Sequence, residues 1–122
     1  MNVLIDARSL PEYLHLRRIA EAVEGVTVFR APLLGREKLQ RHYDVIVSAR
    51  SDERNMSLAE RWQGTWGDTF IILVMDSGEN RLDAMRCHVF DYLTRPIDEA
   101  RLARSLHDAA THFAKTPRRK AL

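Results

Sequence analysis

The chain is poor in the residues that build the simplest kinds of site. Its single cysteine, Cys87, has no partner for an intrachain disulfide, and no group of cysteines and histidines has zinc-finger spacing. A disulfide scaffold and a zinc finger are thereby excluded, and a reducing compartment is expected. No apolar run approaches the roughly 18 residues that cross a bilayer. Residues 1–6, MNVLID, lack the basic-then-apolar layout of a signal peptide. The expectation is a soluble, cytoplasmic protein with no membrane partner. The five glycines form no phosphate-cradling loop, which argues against a nucleotide enzyme. Excess charge of one sign is missing too. Nineteen Lys and Arg face 17 Asp and Glu, a net charge of +2. Mixed along the chain in this way, the charges do not suit a protein that coats nucleic acid.

What the chain has is 122 residues, 45% of them hydrophobic, enough for one core. Short apolar runs at residues 3–5, 26–29, 44–48, 70–75 and 89–93 read as strands, the run at 70–75 being the most apolar. Between them the spacing of apolar residues predicts helices. The first covers 10–24 and stops at Gly25; a short charged one covers 35–42 around Leu39. Residues 49–55 read as a polar loop. Ser57 and Glu60 have capping-box spacing and would open a helix carrying Leu58, Trp62 and Trp66. A fourth helix is predicted over 79–87. A last one is capped by Asp98 and lined by Leu102, Leu106, Ala109, Ala110 and Phe113. Residues 1–115 form the expected domain and 116–122 a basic tail or linker stub.

Strands alternating with helices predict an α/β domain, a five-stranded parallel sheet flanked by helices in the flavodoxin-like order 2-1-3-4-5. In such a sheet function gathers at the carboxyl ends of the strands, here 6–8, 48–55, 75–78 and 94–96.

The stretch Phe90-Asp91-Tyr92-Leu93-Thr94-Arg95-Pro96-Ile97, followed by an acidic cap and an amphipathic helix, closely resembles the end of a bacterial response-regulator receiver domain. Asp44-Val45-Ile46-Val47 resembles the approach to the receiver's phosphorylation site, and residues 1–6 resemble its first strand. The resemblance implies an acidic pair after strand one, a phosphoacceptor aspartate after strand three, a hydroxyl after strand four and a lysine before the proline. Together these hold Mg²⁺ and a phosphoryl group. Here the matching positions are Asp6-Ala7 or Ala7-Arg8, Ala49 or Ser48, Met75, and Arg95. Ser77 would supply the hydroxyl only in a longer loop. Alanine cannot be phosphorylated and methionine offers no hydroxyl, so the pocket of Asp6, Ala7, Ser48, Ala49, Met75 and Arg95 reads as dismantled.

Arg95 is expected either to grip an anion or a neighbouring carboxylate such as Asp6, closing the site without Mg²⁺, or to be a solvated arginine beside the proline turn. No catalytic residue, cofactor or metal is expected. Asp52 and Glu53 could supply a displaced metal site or acceptor, but adjacent loop acids are more often solvated. The five histidines are scattered, and Cys87 is expected to pack rather than react. Tyr92 matches the receiver's switch aromatic and is expected either to mark a binding face or to sit half-buried without switching. The resemblance implies an interaction face built from the helix before the last strand, that strand and the last helix, with Asp91, Arg101, Arg104 and Asp108 supplying charge. The expected activity is phosphorylation-independent protein interaction or dimerisation in two-component-type signalling or transcription regulation. Partners would be a second copy, a histidine kinase or an output domain, and nucleic acid would be met only through a separate output domain. The alternatives are a receiver with a non-standard acceptor and Mg²⁺, or a small-molecule-binding flavodoxin-like module.

Overall fold

In a computed structural model, residues 1–31, 42–65 and 68–115 are described, the side chains of 63–65 excepted. Five parallel strands form one sheet in the order β2-β1-β3-β4-β5, as expected. The elements run β1 (Asn2–Ala7), α1 (Leu10–Glu21), β2 (Thr27–Arg30), β3 (Val45–Ala49), α2 (Asp52–Thr65), β4 (Phe70–Met75), α3 (Arg81–Arg86), β5 (Asp91–Thr94) and α4 (Glu99–Lys115).

The continuous apolar runs are explained by burial on both faces. Alternate residues of each central strand enter opposite layers, because successive strand side chains point to opposite sides. Val3, Ile5, Val45, Val47, Ile72, Val74 and Leu93 pack beneath α1 and α4 against Leu16, Ile19, Leu102, Leu106 and Ala109. Leu4, Ile46, Ile71, Leu73, Met75 and Tyr92 face the other way, against Ala59 and Trp62 of α2 and Ala84 of α3. Each fully buried Leu, Ile or Val side chain contributes roughly 1.5–3 kcal/mol.

Local signals place the helix ends. The Ser9 hydroxyl accepts the Glu12 N–H at 3.3 Å, and Gly25 takes φ +82° beyond α1, a conformation a side chain would oppose. The Asp98 carboxylate accepts the Arg101 N–H at 3.1 Å and opens α4.

Two expectations change. Helix α1 ends at Glu21, three residues short of residue 24, because the chain turns towards Gly25. The predicted loop over 49–55 is mostly structured: Ala49 closes β3 and α2 begins at Asp52. Ser57 therefore lies inside α2, and the cap is Ser51, whose hydroxyl accepts the Arg54 N–H at 3.3 Å. Acidic Asp52 and Glu53 in the first turn complement the helix dipole, a stronger start signal than the Ser57–Glu60 spacing. The predicted strand over 70–75 matches β4 residue for residue. Most of the predicted 35–42 helix, Trp66 and the 116–122 tail lie outside the described residues, and four helices stand among those described.

Candidate functional site

Strand register lines up the carboxyl ends. Asp6 pairs with Ser48 and Ala7 with Ala49 across β1 and β3, and Met75 pairs with Thr94 across β4 and β5. Ala49 and Met75 are both 0% exposed. The three tips Ala7, Ala49 and Met75 therefore present no side-chain oxygen where the resemblance would place acceptor and hydroxyl.

Arginine fills the space above them. Arg95, on the loop after β5, sends Nε and Nη2 to the two oxygens of Glu12 at 2.9 and 3.0 Å. The same Nη2 reaches the Ala49 carbonyl at 2.9 Å, and Nη1 donates to Asp76 Oδ1 at 3.1 Å. A planar fork suits this task, since one guanidinium can serve two carboxylates and a carbonyl in a single plane. Burial by itself would lower the Arg95 pKa. The hydrogen bonds and charges of Glu12 and then Asp76 outweigh it, so the group sits above its ordinary value. Arg8 adds a second cation on Asp76, with Nη1 at 3.2 and 3.3 Å from its oxygens.

Beneath this network lies Asn55, 0% exposed on the first turns of α2. Its Oδ1 accepts from the Ser48 hydroxyl at 2.7 Å and the Arg50 N–H at 2.9 Å. Its Nδ2 donates to the Val74 carbonyl at 2.8 Å and lies 3.2 Å from the Met75 sulfur. An amide has two acceptor sites and two hydrogens, and here both ends are used. Asn55 thus joins the tips of β3 and β4. Asp52 makes a parallel link, accepting the Asp76 and Ser77 N–H groups at 2.7 and 3.1 Å.

Several expected roles move. Asp6, 5% exposed, pairs with Arg50 at 2.8 Å, while Arg95, for which a carboxylate partner such as Asp6 and a solvated position were both open, takes Glu12 and Asp76. The guanidinium on the loop after β3 is nearer to Asp6 than the one after β5. Asp52 is not a free loop acid, since both its oxygens hold backbone amides. Ser77 turns its hydroxyl to the Glu79 N–H at 2.9 Å. Tyr92 is 2% exposed, more buried than a half-buried strand tyrosine, and its hydroxyl donates to the Ser77 carbonyl at 2.5 Å. Arg81 lies over its ring at 4.7 Å. Cys87 packs against the α2–α3 layer as expected, and burial pushes its thiol pKa up.

A receiver's Mg²⁺ requires several oxygen ligands converging on one point. Among the described residues no group of three or more His, Cys, Asp or Glu converges so, and the nearby Asp6, Asp76 and Glu12 are paired with arginine. The donor set does not fit the ion.

The face of α3, β5 and α4 is organised around Asp91. Arg101 grips it at 2.8 and 3.3 Å, and the Ser105 hydroxyl and the Tyr92 N–H donate to it. Burial would raise the Asp91 pKa, but the hydrogen bonds from Arg101, Ser105 and Tyr92 and the Arg101 charge prevail and hold it below the ordinary 3.8. A folded-state pKa below the unfolded one means stability that is present above the ordinary value and lost as pH falls through the folded value. Asp91→Asn is therefore expected to destabilise at neutral pH, with the gap to wild type closing below about pH 4. Urea denaturation at neutral and acidic pH checks this, and a gap independent of pH would contradict it. Phe90, Arg104 and Asp108 border the same hollow, and Leu82 and Met85 of α3 are exposed.

No family model matches the sequence, and no curated protein matches it. Solved structures do. The response regulatory domain of mrkE from Klebsiella pneumoniae superposes with a TM-score of 0.81 at 19% identity, covering 95% of this chain and 100% of that one. An orphan response regulator of H. pylori gives 0.71 at 19% identity over 85% and 92%. A putative pilus assembly-related protein of Burkholderia pseudomallei gives 0.69 at 25% identity over 94% and 90%. The fold is that of receiver domains.

Proposed function

We propose that the chain is a receiver-fold interaction module that works without phosphorylation and without Mg²⁺, and is not an enzyme. The observation that carries this is Arg95, which binds Glu12, Asp76 and the Ala49 carbonyl directly over the strand tip that bears no acceptor. In a phosphorylated receiver the covalent group supplies negative charge and the ion supplies positive charge. Here both signs belong to the chain, so the crevice holds one closed arrangement in place of a switch. The receiver fold and its likeness to response regulators support a role in signalling through protein partners.

The face of α3, β5 and α4 is the proposed contact surface for a second copy, a kinase or an output domain. It offers Asp91, Arg101, Arg104 and Asp108 around one hollow, and α3 adds the exposed Leu82 and Met85. Tyr92 is no part of that surface, being buried beneath Arg81.

Incubation with acetyl phosphate and Mg²⁺ followed by intact-mass measurement tests the reading. The expected result is an unchanged mass. A phosphoryl adduct that is labile to hydroxylamine would reveal an acyl phosphate and overturn the proposal.

A further inference from the structure

Beside the arginine crevice, on the α2 side of the sheet, lies a hollow lined by Asp6, Ser48, Arg50, Arg54, Ser57 and Arg61. Its rim comes from one helix stripe, since positions 54, 57 and 61 follow the three- and four-residue spacing of a single face of α2. Its floor is buried and polar: Asp6 is 5% and Ser48 1% exposed. The floor carboxylate is already neutralised by Arg50 at 2.8 Å, so it does not repel an incoming anion. The lining carries three guanidinia and one carboxylate. At the strand tips Arg8, Arg50 and Arg95 each hold a carboxylate, whereas Arg54 makes no ion pair among the described residues.

We propose that this hollow binds a tetrahedral oxyanion of the phosphate class, free or as the phosphate end of a small metabolite. Guanidinium forks match such oxygens in geometry and are weakly hydrated, and the Ser57 hydroxyl sits between the two arginines of the stripe. The site shares Asp6 and Ser48 with the strand-tip pocket but takes its rim from α2, and it does not depend on whether the protein is phosphorylated. It gives the fold a non-covalent anion input framed by α2.

The test is a titration of the whole chain with inorganic phosphate and, separately, adenosine monophosphate, at matched ionic strength and followed by two-dimensional amide NMR. Saturable shifts centred on residues 50–61, with a dissociation constant on the order of 1 mM or tighter, are expected. The two ligands should compete, which shows that the phosphate is what is recognised. Arg54→Gln is expected to weaken binding about tenfold, the usual worth of a charge-assisted hydrogen bond. Its urea midpoint should not change, because Arg54 is exposed and makes no ion pair among the described residues. Absence of saturable shifts for both ligands, shifts centred on Arg8 and Arg95, or undiminished binding in Arg54→Gln would each overturn the proposal.

Discussion

Arg95→Ala is expected to lower the unfolding free energy by about 3 kcal/mol, the lower end of the range for breaking a buried pair by removing one partner. The reason is what remains behind. Glu12, with a side chain 14% exposed, would keep its charge without its fork, Asp76 would lose one of two cations, and the Ala49 carbonyl would lose a donor. For a domain of this size that corresponds to a melting temperature lower by roughly 10 °C. Arg95→Lys restores the residue type of a receiver yet should recover only part of the loss. A point charge on a flexible stem cannot meet both Glu12 oxygens and the Ala49 carbonyl at once. Glu12→Gln combined with Arg95→Met should be milder than the sum of the two singles, because no uncompensated charge is left. Chemical denaturation of these five variants, the two singles of the double included, provides the comparison. A loss below about 0.5 kcal/mol for Arg95→Ala would mean that the network behaves as an ordinary solvated surface pair, and the closed-crevice reading would fall with it.

Asn55→Ala should be about as damaging, again roughly 3 kcal/mol, for a different physical reason. The substitution leaves the Ser48 hydroxyl, the Arg50 N–H and the Val74 carbonyl without a partner in a place where Asn55 is 0% exposed. Each buried polar group abandoned in this way costs about 1–3 kcal/mol. Asn55→Asp separates this account from simple loss of volume. The aspartate keeps the shape and the acceptor, but it turns an ionised oxygen towards the Val74 carbonyl in place of a donor. A buried carboxylate resists ionisation, and once protonated it can donate again. The stability gap between Asn55→Asp and wild type should therefore narrow as pH falls. A gap that stays constant with pH, or an alanine variant as stable as wild type, would show that the amide is not what joins β3 to β4.

The sequence determined the fold class because a strand buried on both faces must be apolar throughout. Residues 70–75, apolar throughout, carry the strongest strand signal, and β-branched runs separated by helical periodicity leave a parallel sheet as the economical arrangement. It also determined which side chains stand at the tips of β3 and β4, since no fold gives Ala49 a carboxylate or Met75 a hydroxyl. The start of α2 was legible in Ser51-Asp52-Glu53, a cap followed by two acids, and the Ser57–Glu60 spacing that mimics a cap falls inside the helix.

Which charges meet follows from how the elements pack. Glu12 and Arg95 stand 83 residues apart and Arg50 and Asp6 stand 44 apart, and periodicity carries no information about ion pairs at such separations. Nothing local distinguishes Asn55 from a solvated polar residue; its role appears when α2 sets it between two strand ends. Tyr92, for which a place on a binding face and a half-buried position were both open, is buried for the same reason. Which side of a strand faces a helix depends on the packing of α3 and Arg81 over it, a contact between elements that neither element's own sequence encodes.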